Sequence, residues 1–222
     1  GRARFADVRL LDAIPSANGG SLVTCEFPEG RLCYTVAEPG DHWVVNSLAV
    51  MAAVRAAGGD MAAAGLALAE MGGLKGRGAR HGINVPGGKA QLIDESYNAN
   101  PLSMAATLKQ LGRETADRRI AVLGGMRELG SASADLHAGL AKPMGEGAVD
   151  FALLVGAEMA PLADALDGAI AYAHVPDTAS AIPLIRKEMR AGDAILVKGS
   201  NGVGLSRLVA ALGEAARDGD TN

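Results

Sequence analysis

The sequence predicts an α/β protein whose second and larger part is a doubly wound, mostly parallel sheet. Three continuous apolar runs, at 120–123, 151–155 and 194–197, are typical of strands buried on both faces. Stretches with apolar residues at helical spacing separate them. A glycine-bearing loop follows each run, as expected at the carboxyl ends of parallel strands, where such sheets bind ligands. This part is therefore expected to be Rossmann-like.

The first part of the chain predicts antiparallel strands followed by two helices. Short alternating segments at 6–10, 21–25 and 31–36 are punctuated by glycine and proline, a pattern typical of antiparallel strands. Apolar residues then recur at helical spacing from 43 to 57. Asp60 is placed to cap a second helix that ends near residue 71.

A glycine-rich segment at 72–78 belongs to no periodic stretch and is the best candidate for a domain boundary. We therefore expect two domains, at 1–78 and 79–222. In the second domain the expected strands are 89–94, 119–123, 151–155, 170–174 and 194–197, and the expected helices are 101–117, 134–147, 158–167, 178–190 and 203–216.

Composition excludes several classes of function. The net charge is −4 and no basic run exceeds two residues, so the sequence offers no stripe for a nucleic-acid backbone. No apolar stretch approaches the roughly 20 residues that span a bilayer, and the N-terminus has no apolar signal region. We expect a cytoplasmic protein that neither binds nucleic acid nor inserts into a membrane.

Cysteine, histidine and methionine suggest no metal site. Cys25 and Cys33 flank a turn and could form a disulfide, but reduced thiols are the favoured interpretation in a chain without an export signal. Three histidines show no metal-ligand spacing and are expected at the surface or in satisfied positions: His81, His137 and His174. Met126, Met144 and Met159 are expected to fill the core.

Two glycine-rich segments resemble phosphate loops only superficially. The segment 199–204 follows a strand and opens a helix, where amide groups can hold an anion, but its glycine order is not that of a dinucleotide fingerprint. A tight strand-to-helix turn is the favoured interpretation. The segment 87–90 lacks the first glycine and the magnesium-binding hydroxyl of a Walker A loop, so we expect a hairpin turn there.

The densest polar cluster is 94–101, which leaves a predicted strand and enters a helix. Asparagine and proline at such a point are common in helix caps, and capping accounts for two of these residues. The remaining carboxylates, phenol and amide suit a hydrogen-bonding site equally well. Glu128, in the loop after the strand at 119–123, is either a site residue or an ordinary exposed carboxylate.

The cluster 94–101, the loop 124–130 and the segment 197–200 together closely resemble the Mur ligase family, and in particular its members that add D-alanyl-D-alanine to UDP-N-acetylmuramoyl-tripeptide. The segment 42–46, before an alanine-rich helix, resembles the end of the family's central ATPase domain. The segment 76–80 resembles its domain junction. The resemblance implies that 1–78 is the tail of the central ATP-binding domain and 79–222 the C-terminal ligase domain.

The resemblance also implies a chemistry. Members of this family use ATP to convert the tripeptide carboxylate into an acyl phosphate, which the amine of D-alanyl-D-alanine attacks, and Mg²⁺ supports both steps. The implied partners are UDP-N-acetylmuramoyl-tripeptide and D-alanyl-D-alanine, and a monomer is expected.

Site residues follow from the same resemblance. Asn46 matches an asparagine that contacts adenine. Arg80, or less closely Arg77, matches a junction arginine that approaches the phosphates on domain closure, and Arg80 and Asn100 are the expected catalytic residues. The expected nucleotide-facing residues of the C-terminal domain are Asp94, Glu95, Tyr97, Asn98 and Asn100.

The sequence departs from the family in two respects. Gly125 stands where the family usually has aspartate, so the role of that carboxylate is expected to be missing. The phosphate loop, the magnesium ligands and the N-terminal substrate domain are also absent, so we expect a piece of a longer ligase that is inactive alone. The alternatives are another Mur or folylpolyglutamate-type ligase and a non-catalytic nucleotide-binding or interaction module.

Overall fold

The computed structural model describes residues 1–16, 20–71, 76–166 and 168–218, with side chains to residue 213. The chain divides into two compact units, Gly1–Leu74 and Lys75–Asn222. The expected boundary at residue 78 therefore falls just inside the second unit. Residues 72–75 of the expected linker lie outside the described residues.

The first unit is a three-stranded sheet followed by two helices, as expected. Its elements are β1 (Arg9–Pro15), β2 (Ser21–Phe27), β3 (Gly30–Val36), α1 (Asp41–Ala56) and α2 (Met61–Glu70). The strands are antiparallel in the order β1-β2-β3. Asp60 caps α2, since its side chain accepts hydrogen bonds from the main-chain nitrogens of Ala62 and Ala63 at 2.8 and 3.1 Å.

The two cysteines of this unit are free thiols, which confirms the favoured interpretation. Cys25 pairs with Leu32, and Cys33 pairs with Thr24. Because neighbouring residues of a strand point to opposite faces, one thiol is buried and the other is exposed. A disulfide between them is therefore excluded in this register.

The second unit is built on a six-stranded sheet. Its strands are β4 (Ala79–Val85), β5 (Gly88–Glu95), β6 (Arg118–Gly124), β7 (Phe151–Val155), β8 (Ala171–Val175) and β9 (Asp193–Lys198). They lie in the order β4-β5-β9-β6-β7-β8, and all pairs except β4–β5 are parallel. The doubly wound, mostly parallel fold class is confirmed.

Helices cover both faces of this sheet. They are α3 (Pro101–Leu111), α4 (Ser133–Ala138), α5 (Ala141–Glu146), α6 (Ala160–Leu166), α7 (Thr178–Glu188) and α8 (Leu205–Asp218). Side chains of α3, α5 and α6 form one buried cluster with alternate residues of the strands, and those of α7 and α8 form another with the intervening residues. Alternation along each strand thus divides the core into two layers.

The structure differs from the expected elements at several places. The first strand, expected at 6–10, is Arg9–Pro15, and the helix expected at 101–117 ends at Leu111. The helix expected at 134–147 is two helices, because Pro143 has no N–H to donate to the carbonyl of Gly139 and its ring would crowd that group. The edge strand β4 was not expected, since it carries exposed polar residues instead of an apolar run. A hairpin connects β4 and β5 as expected, but its turn is at 86–87, and residues 88–90 of the expected turn already belong to β5. No described helix is long and apolar enough to cross a membrane.

Candidate functional site

The carboxyl ends of β5, β6, β7 and β9 meet at one edge of the parallel sheet, where ligands of such folds bind. The loops after β6 and β9 are joined there. The Ser200 amide donates to the carbonyl of Gly125 at 3.1 Å, and the Arg127 amide donates to the Ser200 hydroxyl at 3.0 Å. This edge is the candidate site.

Lys198, the last residue of β9, holds the polar cluster against the sheet. Its side chain is only 2% exposed, and Nζ donates to the carbonyl oxygen of Asn98 at 2.9 Å. The ammonium also lies 3.5 Å from Oε2 of Glu95. Burial lowers the pKa of Lys198, and Glu95 opposes that shift. Burial likewise raises the pKa of Glu95, and Lys198 opposes that shift.

Asp94 is a buried hydrogen-bond acceptor rather than an exposed ligand group. One carboxylate oxygen accepts from the amide of Gly76 at 2.9 Å. The other accepts from the amide and the hydroxyl of Ser96, at 3.1 and 2.6 Å. The Asp94 carbonyl also accepts from the Gly78 amide at 2.8 Å. Asp94 therefore fixes the chain at 76–78 to the end of β5.

Gly76 brings Arg77 to the cluster. It has a φ of +77°, and a β-carbon built there would lie 2.8 Å from the β-carbon of Tyr97. Only glycine fits this approach. The guanidinium of Arg77 then lies 4.4 Å from the ring centre of Tyr97, whose side chain is half exposed. A cation and an aromatic face are thus presented together at the edge.

The two asparagines of the cluster are exposed and fix the local backbone. Asn98 Oδ1 accepts from the amide of Ala99 at 2.9 Å. Asn100 caps α3, since its Oδ1 accepts from the amide of Ser103 at 2.8 Å, and the Ser103 hydroxyl accepts from the Asn100 amide at 3.1 Å. The capping interpretation of Asn100 is therefore realised. The cap uses only the amide oxygen, so a further role for the NH₂ group stays a proposal.

Arg80 lies elsewhere in the second unit. Its guanidinium donates to both carboxylate oxygens of Glu114, at 2.7 and 2.8 Å. Together with Gly192 and Asp193, at the amino end of β9, it lines a groove of about 510 Å³. The structure thus brings Arg77, and not Arg80, to the polar cluster. Asn46 is exposed on α1 of the first unit.

The loop after β6 is anchored by a buried histidine. His137 Nε2 accepts from the amide of Met126 at 2.9 Å, and Nδ1 lies 2.7 Å from the carbonyl of Ser133. A neutral ring protonated at Nδ1 satisfies both contacts. The expectation of a satisfied histidine is confirmed at this position, and the three methionines are in the core as expected. In the described part of the chain, no three His, Cys, Asp or Glu residues lie close enough together to hold a metal ion.

Sequence reasoning gave no role to two charged residues at this edge, Lys198 and Glu158. The position of Lys198 as the last residue of a buried apolar strand was a usable signal, because a charge there needs a partner. Glu158 folds over Gly125, so that a β-carbon at residue 125 would lie 3.0 Å from the β-carbon of Glu158. A carboxyl group therefore lies beside Gly125, although residue 125 itself lacks the aspartate that is usual in the family. No sequence pattern indicated this contact.

Known proteins share both the sequence and the fold. The family model described as "Mur ligase, glutamate ligase domain" matches residues 80–201. The UDP-N-acetylmuramoyl-tripeptide–D-alanyl-D-alanine ligase of Mycobacterium bovis is 33% identical over 78% of this chain and 38% of its own length. The enzyme of the same description from Escherichia coli K12 is 29% identical over 88% of this chain and 42% of its own length.

A solved structure extends the likeness to both units. Crystal structure II of MurF from Acinetobacter baumannii is 26% identical and covers 96% of this chain and 46% of its own, with a TM-score of 0.78. The chain thus spans less than half the length of these relatives. More than half of its residues fall within the matched family domain. The chain belongs to the Mur ligase family.

Proposed function

We propose that the chain is the C-terminal part of an ATP-dependent ligase that adds D-alanyl-D-alanine to UDP-N-acetylmuramoyl-tripeptide in peptidoglycan synthesis. The supporting observation is the joined edge of β5, β6 and β9, where Arg77 lies beside Tyr97 and the buried Lys198 contacts the polar cluster. Tyr97 and Lys198 fall within the matched family domain, and Arg77 directly precedes it. Relatives with this described activity are about one third identical over most of the chain.

The proposed reaction has two steps. A carboxylate oxygen of the tripeptide attacks the γ-phosphorus of ATP, and ADP leaves. The amine of D-alanyl-D-alanine then attacks the carbonyl carbon of the acyl phosphate, phosphate leaves, and the amine releases a proton. Both steps develop negative charge on phosphate oxygens, which a fixed cation stabilises. Among the described residues of the second unit, Arg77 is the exposed cation at the cluster.

We assign the junction role to Arg77 rather than to Arg80. A planar guanidinium held on an aromatic ring keeps its outer N–H groups free to bind phosphate bidentately. Arg80 instead donates to Glu114, so reaching a phosphate would first break that pair. Asn100 remains the second proposed catalytic residue, acting through its NH₂ group.

The remaining residues divide into ligand-facing and supporting groups. Asn46, Tyr97 and Asn98 are exposed and suit direct contact with the nucleotide. Asp94 and Glu95 are proposed to support the site without contacting the nucleotide. Asp94 is buried and accepts hydrogen bonds from Gly76 and Ser96, and Glu95 lies beside Lys198. The groups of the second unit fit part of an ATP site that another part of the full-length protein completes.

The described residues of this chain bring together no three His, Cys, Asp or Glu side chains that could hold magnesium. None of the steps assigned to this chain therefore passes through the ion. When bound by the remainder of a longer ligase, Mg²⁺ would supply neutralisation of phosphate charge.

The proposal is tested with two proteins, the product of the complete reading frame that contains these residues and the 222-residue chain itself. We expect the complete protein to release phosphate only when ATP, UDP-N-acetylmuramoyl-tripeptide and D-alanyl-D-alanine are all present. We expect the chain alone to release none, because it contains no phosphate loop. Activity with L-alanine or another amino acid in place of the dipeptide would contradict the substrate assignment. Inactivity of the complete protein with every acceptor would favour a non-catalytic module.

A further inference from the structure

Glu158 places a carboxyl group over the ends of β6 and β7. Its side chain is exposed and folds back over two glycines. A β-carbon at Gly125 would lie 3.0 Å from its β-carbon and 3.5 Å from its carboxyl carbon. A β-carbon at Gly156 would lie 3.0 Å from Oε2. The carboxyl group therefore occupies space that side chains at these two strand ends would otherwise fill.

Glu158 forms no ion pair with another residue in the described part of the fold. The ion pairs found there in the second unit join other residues, including Arg80 with Glu114, Arg118 with Asp193 and Lys198 with Glu95. Glu158 lies in the short 3-10 helix before α6, where a negative charge is favourable. That position accounts for an acidic residue near the helix start but not for a side chain directed back across the sheet edge.

An opposite charge lies over the neighbouring loop in the same way. The guanidinium of Arg127 covers Gly202, since a β-carbon there would lie 2.8 Å from Nε. The loops that carry Arg127 and Gly202 are joined through Ser200, which also contacts Gly125. The edge thus presents a carboxylate and a guanidinium on adjacent strand ends, a charge pattern complementary to a zwitterion.

We propose that Glu158 binds the ammonium group of the incoming amino-acid or dipeptide substrate, and that glycine at 125 leaves the room for it. The inference rests on the proposed function, because the attacking substrate of that reaction carries both an ammonium and a carboxylate. Arg127 is the matching cation for the carboxylate. Glu158 is then a specificity-determining residue for the attacking substrate, with no role in binding ATP or the tripeptide.

The test is steady-state kinetics on the complete ligase with four variants: Glu158→Ala, Glu158→Gln, Gly125→Asp and the double variant Gly125→Asp/Glu158→Gly. Loss of a hydrogen bond to a charged group predicts a KM for D-alanyl-D-alanine that is about tenfold higher in Glu158→Ala, with the KM values for ATP and tripeptide unchanged. Glu158→Gln keeps the shape without the charge and should show the same selective defect.

The double variant separates a charge role from a packing role. Gly125→Asp alone should impair the enzyme, because the new side chain collides with Glu158. Adding Glu158→Gly removes the β-carbon that causes the collision, and the aspartate at position 125 then supplies a carboxylate at the same edge. The KM for the dipeptide should therefore move back toward that of the wild type. Glu146→Ala, which removes another exposed carboxylate of the same unit, is the matched control.

The outcomes distinguish the two proposals. An active wild-type enzyme whose Glu158 variants keep the dipeptide KM would overturn the role of Glu158 and leave the ligase function standing. Equal changes in all three KM values, or a double variant worse than both single ones, would also overturn it. A wild-type protein without dipeptide-dependent turnover fails the proposed function itself, and this inference with it.

Discussion

The ammonium of Lys198 donates a hydrogen bond to the carbonyl oxygen of Asn98 at 2.9 Å, and this contact joins the end of β9 to the polar segment that follows β5. These residues are far apart in sequence, and β9 pairs with β5 only through the crossover topology of the sheet. The buried lysine therefore holds the candidate site to its scaffold.

Replacing this lysine should destabilise the second unit. Lys198→Met removes the partner of the Asn98 carbonyl and of the Glu95 carboxylate, which is only 15% exposed. Breaking a buried pair from one side predicts a loss of about 3 kcal/mol in the free energy of unfolding, measured by urea denaturation. Lys142→Ala, which breaks an exposed helical pair with Glu146, should cost less than about 0.5 kcal/mol. Equal losses in the two variants would contradict this role.

The pKa of Glu95 reports on the same pair. Burial raises this pKa above its ordinary value of 4.5, and the charge of Lys198 opposes the shift. The folded protein thus binds the proton more tightly than the unfolded chain. Proton binding by Glu95 therefore stabilises the fold fully at a pH below the pKa of this group in the unfolded chain. This stabilisation is lost as the pH rises through the pKa of Glu95 in the folded protein.

Removing the cation should raise this pKa further. Lys198→Met is expected to move the titration of the Glu95 carboxyl carbon, followed by NMR, to higher pH than in the wild type. Arg77→Ala should shift it in the same direction by less, because Arg77 is a weaker influence on this group. A lower or unchanged pKa in Lys198→Met would show that the lysine does not act on Glu95.

Alanine variants of two glycines with similar backbone conformations distinguish the cost of backbone strain from the cost of a steric collision. Gly76 has a φ of +77° and lies against Tyr97, whereas Gly87 has a φ of +87° and has open space around it. Alanine at either position should cost about 1 kcal/mol of conformational strain. Gly76→Ala should cost roughly 2 kcal/mol more, because Tyr97 must move. Chemical denaturation measures both variants, and equal costs would rule out a close approach at Gly76.

The two arginines near the junction should behave differently in the complete ligase. Arg77→Ala is expected to lower kcat by at least about tenfold with little change in melting temperature, since it removes a cation from the site. Arg77→Lys should recover only part of this loss, because an ammonium lacks the planar fork. Arg80→Ala should instead lower the melting temperature and leave kcat nearly unchanged, because Glu114 loses its partner. The reverse pattern would restore the catalytic assignment to Arg80.

The sequence was most informative where burial is strongest. The apolar runs at β6, β7 and β9 predicted the parallel sheet because these strands are buried on both faces. The edge strand β4 carries Arg80, His81 and Gly82, which show no apolar pattern, and its place depends on pairing with β5. The position of β4 is therefore determined by its pairing with β5, which hydrophobic periodicity does not predict.

The candidate site was predictable as a segment but not as a geometry. Polar composition drew attention to 94–101, yet it did not show that Asp94 is buried while Tyr97 is exposed. The sequence also did not show which of Arg77 and Arg80 lies at the polar cluster, because this depends on the path of the chain in the fold. Gly76 turns the chain so that Arg77 meets Tyr97, while Arg80 on β4 is paired with Glu114. Contacts between distant segments have no signature in a single sequence.

We propose that the complete ligase forms the amide through an acyl phosphate, and the transfer of oxygen-18 tests this route. The complete ligase is supplied with UDP-N-acetylmuramoyl-tripeptide labelled with oxygen-18 in its reacting carboxylate, together with ATP and D-alanyl-D-alanine. Mass spectrometry then follows the label in the released phosphate. The acyl phosphate route transfers one labelled oxygen to each phosphate as the pentapeptide product forms. Unlabelled phosphate alongside that product, or no product at all, would contradict the acyl phosphate route.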